Sequence, residues 1–379
     1  MRRAFQIVLT FVALGVAASK PAAGMEVTCI EASRYRHLYQ LFGGDPKQFA
    51  AYLDLDPAQL PRPEHCRAIL LSGKVEPRSG NDLDQLLTAI NANQGWLAVV
   101  QLASGGGIVQ TGYRLGFVTR MFWLKTHTAT AFNRNLYYTP DFFVPPAAGT
   151  PTEGEEQPDA GRIENWRRYL ATQKGLSPHQ LGGTGCASAC GLIHTAGTDR
   201  SGIVRVHRAR MGGGQDTFIN LKKTMSETDR AMLRLELEQI AFYRQMDPGP
   251  DFVRQYQETA AQTVTPVDVS RFPRYVADYL TARCKVNGDQ LQELDRQIGN
   301  TISEIRSPLF GYWINTEKLG RSLRQLRTLR AEAERCIAAA HERERHSHFA
   351  KLCPNGGCDR KKLIAMIEES ARALAKQAQ

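Results

Sequence analysis

Ser188 and His207 are the pair of side chains in this sequence whose types and setting fit one chemistry, a hydroxyl nucleophile and an imidazole base. Both lie in the run TGCASACGLIHTAGTDRSGIVRVHR, residues 184–208. Free serine is a poor nucleophile at neutral pH. It needs a base within hydrogen-bond reach and N–H donors aimed at the oxyanion that develops on the attacked carbon. Small residues on both sides of Ser188 leave room for attack, and the apolar run after it reads as a buried helix. A β-branched run then leads to His207. At the start of a helix, Ser188 would also meet unpaired N–H groups and the positive end of the macrodipole.

Further upstream, a buried-strand pattern over Trp96–Leu102 runs into Ser104-Gly105-Gly106-Gly107, and a helical pattern resumes over Ile108–Trp123. Before it, Arg67–Val75 reads as a strand, and Asn81–Asn93 carries leucines and isoleucine at helical spacing. Lys125–Thr130 fits the next strand. Strand, helix, strand, glycine turn and helix in this order make an α/β core with a parallel sheet.

The rest of the chain divides around that core. Residues 25–66 read as a small helical preface, 67–283 as the core with an insertion at 131–181, and 284–379 as a helical hairpin followed by a terminal helix. The insertion is rich in Pro, Gly and Glu, and it fits either a lid over the serine segment or a tolerated surface loop. Leu291, Leu294, Ile298, Ile302 and Ile305 make one apolar stripe. Leu319, Leu323, Leu326, Leu329, Ala333 and Ile337 make another. Cys284 and Cys336 lie about equally far from the turn between these stripes, so a disulfide between them clasps the hairpin.

Met1–Arg3 and the apolar run Ala4–Ala18, followed by small residues up to Gly24, read as an export signal over residues 1–24. The expected location is the periplasm or the secreted space, with tethering to the inner membrane if the signal stays as an anchor. Export makes eight cysteines an even set for disulfides, with connectivity otherwise open. An i, i+4 pair on one helix is poorly placed for a bond, so Cys186 and Cys190 pair only if the helix start is irregular; otherwise they are small buried residues. His341, His346 and His348 precede Cys353 and Cys358, but the irregular spacing and the oxidising compartment favour a Cys353–Cys358 disulfide over zinc. No metal or other cofactor is expected. His194, inside the apolar run, reads as a packing histidine.

The chain carries a net charge of +10, and residues 284–379 hold 17 Lys/Arg against 12 Asp/Glu. These basic helices suit an acidic partner or a membrane surface, and a solvated helix face is the plainer reading. No aromatic interleaving or nucleic-acid motif accompanies the charge, so nucleic acid is not an expected partner.

LASGGGIVQTG at Leu102–Gly112, CASACGLIHTAG at Cys186–Gly197 and VHRAR at Val206–Arg210 occur in the order of three segments of the Clp protease proteolytic subunit and crotonase superfamily. The chain resembles that superfamily, in particular its exported bacterial branch, over roughly residues 67–280 without the insertion. The resemblance implies an α/β fold with a core of repeated ββα units, here with a C-terminal helical hairpin. It also implies homo-oligomers, a peptide or protein substrate and serine peptidase activity. Ser188 would be the nucleophile, His207 the base, and Gly106, Gly107 and Ala189 the oxyanion hole. The family's acid maps near Ala260. Glu258 is the nearest carboxylate and Asp268 the next. An acyl-CoA role like that of the crotonases would not need Ser188. The other reading is a catalytically inactive periplasmic binding or scaffold protein on the same fold.

Overall fold

A computed structural model describes residues 25–32, 47, 50, 51, 60, 65–76, 81–128, 186–202, 204–207, 227–259, 265–286, 288–306 and 316–377. The expected signal, the insertion and Ala260 lie outside these residues.

Alternation of apolar runs with amphipathic ones yields β2 (Cys66–Ser72), α1 (Asn81–Ala92), β3 (Val99–Ala103), α2 (Val109–Met121) and β4 (Lys125–Thr128). β2, β3 and β4 are parallel, since each crossover passes through a helix. β6 (Arg200–Ser201) extends the sheet beyond β4. The opposite edge is β1 (Glu26–Ala32), which pairs antiparallel with β2. Within the segment expected to be a helical preface, the chain thus supplies a strand, pinned by the Cys29–Cys66 disulfide. Glu26-Val27-Thr28-Cys29 alternates polar and apolar as an edge strand does, and the alternation stops at Ile30–Glu31, where the register with β2 shifts.

A second, three-stranded sheet holds β5 (Cys186–Ala187), β7 (Val204–Val206) and β8 (Thr265–Val267). A bridge between Ser104 and Cys186 joins the two sheets, so the chain leaving β3 runs directly alongside β5. α3 (Ala189–Thr195) follows β5 and packs against α2. The remaining helices are α4 (Glu227–Met246), α5 (Phe252–Glu258), α6 (Arg274–Cys284), α7 (Gly288–Arg306), α8 (Thr316–Leu352) and α9 (Arg360–Gln377). The molecule is therefore a mixed α/β protein with a parallel sheet and nine helices among the described residues.

α7 and α8 form the expected hairpin, and the expected Cys284–Cys336 disulfide ties its open end, joining the last residue of α6, just before α7, to α8. The second half of α8 goes further. Its Phe349, with Leu363, Ile367 and Leu374 of α9, joins the main core, and α9 lies on α2 and α4. A smaller core unites α6, α7 and α8 around Trp123, Val276, Leu280, Leu291 and Ile337.

β4 is the unusual strand, because its sequence KTHT is polar and wholly buried. Its side chains are met by partners instead of water. Lys125 pairs with Asp199 at 3.4 Å, Thr126 Oγ1 donates to His194 O, and Ser201 Oγ lies 2.7 Å from His127 Nδ1.

Candidate active site

Glycines set the first half of the site. After β3, Ser104 O accepts the Ala187 N–H, and Ser104 Oγ accepts the Gly106 N–H at 3.1 Å. Val75 then clamps the turn, donating its N–H to Gly106 O at 2.9 Å and accepting the Ile108 N–H at 2.7 Å. Gly107's own N–H takes no part in that bridge. Side chains are excluded at both glycines. A Cβ on Gly107 would stand 1.9 Å from Val75 O, and one on Gly106 would stand 2.4 Å from Ser188 Cβ and 3.0 Å from its Oγ. Gly106 and Gly107 also hold φ of 100° and 152°, the region open to glycine at little cost. The glycine turn therefore lies directly against Ser188.

Ser188 occupies a sharp strand-to-helix turn, with φ 56° and ψ −126°. A non-glycine residue in this region costs of order 1–3 kcal/mol and persists where its surroundings over-determine it. Here Ser188 N–H donates to Arg205 O at 3.0 Å, and Ser188 O accepts the Gly191 N–H at 2.8 Å. A third constraint is covalent, the Cys186–Cys190 disulfide, which closes a ring around the serine. The helical i, i+4 geometry that would disfavour this pair does not apply. Cys186 lies in the strand β5, the turn at Ser188 intervenes before α3, and the Cα atoms come within 5.3 Å.

Ala189, the first residue of α3, is fully buried behind the serine. Its N–H belongs to the first turn, where helix amides lack intrahelical acceptors. α3 has seven residues, so the expected macrodipole is small and local N–H groups are what the helix offers an anion.

His207 follows β7, which runs parallel to β5 with Cys186 opposite Val204 and Ala187 opposite Arg205. That register sets Ser188 level with Val206 and His207 one residue beyond. Nucleophile and base are thus brought to the same end of adjacent strands, and both are partly exposed. The acid candidates are placed differently. Glu258 is exposed at the last residue of α5. β8 runs antiparallel to β7 with Thr265 opposite Val206, so Asp268 lies past the end of β8 remote from His207, exposed.

A second cluster of ionisable groups, which no sequence pattern marks, lies beneath β4 and against α8. Asp199 is fully buried and meets Lys125 at 3.4 Å and Arg271 at 2.9 Å. Arg271 continues to Glu334 at 2.7 Å. Burial opposes the charge of Asp199, but Arg271 and Lys125 hold its carboxyl well below the usual range. Alongside, Arg67 and Arg345 both grip Glu342. Thr198 Oγ1 meets His341 Nε2 at 2.8 Å. His194 contacts Ser201 O at 2.9 Å in a fully buried position, as a packing histidine does. Burial depresses His127 to about 3 and His194 to about 4. In the sequence Thr198–Ser201 looks like a polar surface turn, and no local pattern separates the two cases.

All four cysteine pairs are disulfides, including Cys353–Cys358. Among the described residues no three His, Cys, Asp or Glu side chains are grouped to hold a metal ion. The disulfides fit an oxidising, extracytoplasmic environment. No helix among the described residues is long and apolar enough to cross a membrane.

No protein-family model, no curated protein and no solved structure matches this chain.

Proposed function

We propose that the chain is an exported serine hydrolase of the Clp-like kind, a peptidase in which Ser188 attacks an acyl carbon and His207 takes and returns the proton. One observation carries this reading. Ser188 sits at φ 56° on a strand-to-helix turn, pressed against a glycine turn that a single Cβ would block. Such a turn lifts a hydroxyl clear of its neighbours, and the amides of Gly107 and Ala189 would serve as the oxyanion hole. Gly106 contributes by its lack of a side chain, because its own N–H is given to Ser104 Oγ. The substrate class would be a peptide or protein, the compartment the periplasm, and the working form a homo-oligomer. The basic C-terminal helices offer a surface for an acidic partner or membrane.

The exposed position of Glu258 favours a second reading, a catalytically inactive binding or scaffold protein on the same fold. A base without an orienting acid works poorly, since loss of the acid from a serine triad costs about 10⁴ in one well-studied case.

A fluorophosphonate probe separates the readings. The hydrolase labels on one residue, Ser188→Ala abolishes labelling, and His207→Ala slows it by about 10²–10⁴. Labelling that persists in Ser188→Ala removes the nucleophile assignment. No labelling of the folded wild-type protein supports the scaffold.

A further inference from the structure

The buried carboxylates Asp199, Glu334 and Glu342 each meet a lysine or an arginine. Asp82, in the first turn of α1, is 3% exposed and meets no cation among the described residues. Its acidic neighbours are better served. Lys74 lies 3.1 Å from Glu76, and Arg360 pairs with Asp84. Asp82 Oδ2 accepts the Glu76 N–H at 3.3 Å, whereas Oδ1 is buried without a hydrogen-bond partner. Burial raises this carboxyl above the usual aspartate range, against the pull of the Glu76 and Met25 N–H groups. The start of a helix favours a negative charge but does not neutralise it. A buried carboxylate in such a place lacks a cation.

The main-chain nitrogen of Met25 already faces Asp82. Met25 is 1% exposed, belongs to the main core, and directly precedes β1. The Val27 N–H donates to Gln85 Oε1 at 3.2 Å, and Cys29 is bonded to Cys66, so the head of β1 is fixed against α1 and β2. In the sequence Met25 follows Ala22-Ala23-Gly24, with small residues third and first before it, the pattern that export peptidases cut. Hydrolysis there puts the hydroxyl of water on the Gly24 carbonyl carbon and its proton on the Met25 nitrogen. The new amine takes up one more proton at neutral pH, and a neighbouring carboxylate favours that charged form. One amide donor thus becomes an ammonium with three donors and a full charge. A cut made during export precedes folding, so the burial of Met25 does not obstruct it.

We propose that the mature chain begins at Met25 and that its α-ammonium forms a buried ion pair with Asp82. The pair reaches the candidate site through two residues. Asp82 holds the Glu76 N–H, and Val75 before it clamps the glycine turn beside Ser188. Export processing thereby ties the wall of that site to the new chain end, whatever reaction Ser188 performs.

Two forms of the protein test this. One is exported by a bacterial host from the complete chain, and intact mass identifies its first residue, expected to be Met25. The other is released from a cleavable tag with Ala22-Ala23-Gly24 retained. In denaturant unfolding the retained tripeptide should raise the unfolding equilibrium constant at least roughly tenfold, and in Asp82→Asn the two forms should differ by less than roughly threefold. A measurement on the wild-type protein needs no variant to fold. Its Met25 α-amine should be acylated at least roughly tenfold more slowly in the folded state than in the denatured one. A mature chain that begins elsewhere, equal stability of the two forms, a difference that persists in Asp82→Asn, or equally fast acylation overturns the proposal. None of these readouts involves Ser188, so failure here leaves the hydrolase assignment standing, and failure of that assignment leaves the ion pair standing.

Discussion

Ser201 Oγ and His127 Nδ1 stand 2.7 Å apart, buried between β4 and β6 of the large sheet, whereas Ser188 and His207 stand at the partly exposed ends of β5 and β7. The residue types are the same and the surroundings are opposite. Ser201 and His127 are 5% and 4% exposed, and burial holds the imidazole neutral down to about pH 3. That pair packs a polar strand. Ser188 has instead a left-handed turn, a glycine wall and an edge position. A hydroxyl beside an imidazole is thus common to both regions, and access together with preorganised donors is what distinguishes a site from a core contact.

The comparison can be broken most forcefully from the buried side. Asp199→Ala leaves Lys125 and Arg271 without their shared carboxylate and should cost about 3–5 kcal/mol in denaturant unfolding. Ser201→Ala, in contrast, should leave fluorophosphonate labelling unchanged. If Ser201→Ala abolished labelling, the two regions would have been assigned the wrong way round.

On the exposed side, Gly106→Ala drives a methyl group into Ser188 and should slow labelling about 10²–10³-fold, a loss comparable to that of an oxyanion donor. Full-rate labelling of this variant would show that the glycine wall does not position the serine.

The disulfides allow a finer contrast. Cys284–Cys336 spans 52 residues and Cys186–Cys190 spans 4. By loop-closure entropy, opening the first costs about 4 kcal/mol and the second about 2 kcal/mol. The Cys186→Ala/Cys190→Ala variant should nonetheless lose more labelling rate than the Cys284→Ala/Cys336→Ala variant, because only the short ring encloses Ser188. Equal rates in the two variants would reduce the ring to a stability element.

Acid sharpens the distinction further. His127 and His194 have folded-state values near 3 and 4, below an unfolded value of about 6.5. Folding then favours the neutral rings. Their contribution is complete above about pH 6.5 and is lost as pH falls toward 4, at up to about 1.4 kcal/mol per pH unit for each. Asp199 acts in the same direction only at lower pH, since its depressed carboxyl supports the fold above the ordinary aspartate range. Denaturant midpoints should therefore decline between pH 6.5 and 4.5, and His127→Asn should flatten that decline. The smallest effect is expected at Glu258→Gln, an exposed change within about 0.5 kcal/mol. A large slowing of labelling in this variant would restore Glu258 as the orienting acid.

Sequence alone determined the strand and helix order from β2 to β4, the two helices of the hairpin and the Cys284–Cys336 clasp, because each follows from local periodicity and length. It also singled out Ser188, His207 and the glycines, since small residues at a strand end have few other uses. Tertiary structure decided the rest. That β1 is an edge strand depends on its pairing with β2, and that Gly106 touches Ser188 depends on a bridge between two sheets. Whether Asp199 is a surface turn or a buried anchor depends on Lys125, Arg271 and Glu334 arriving from distant elements. The Arg67–Glu342 pair crosses 275 residues of chain. Charges buried by such contacts carry no local signature, because the same residue types in the same short pattern are stable in water.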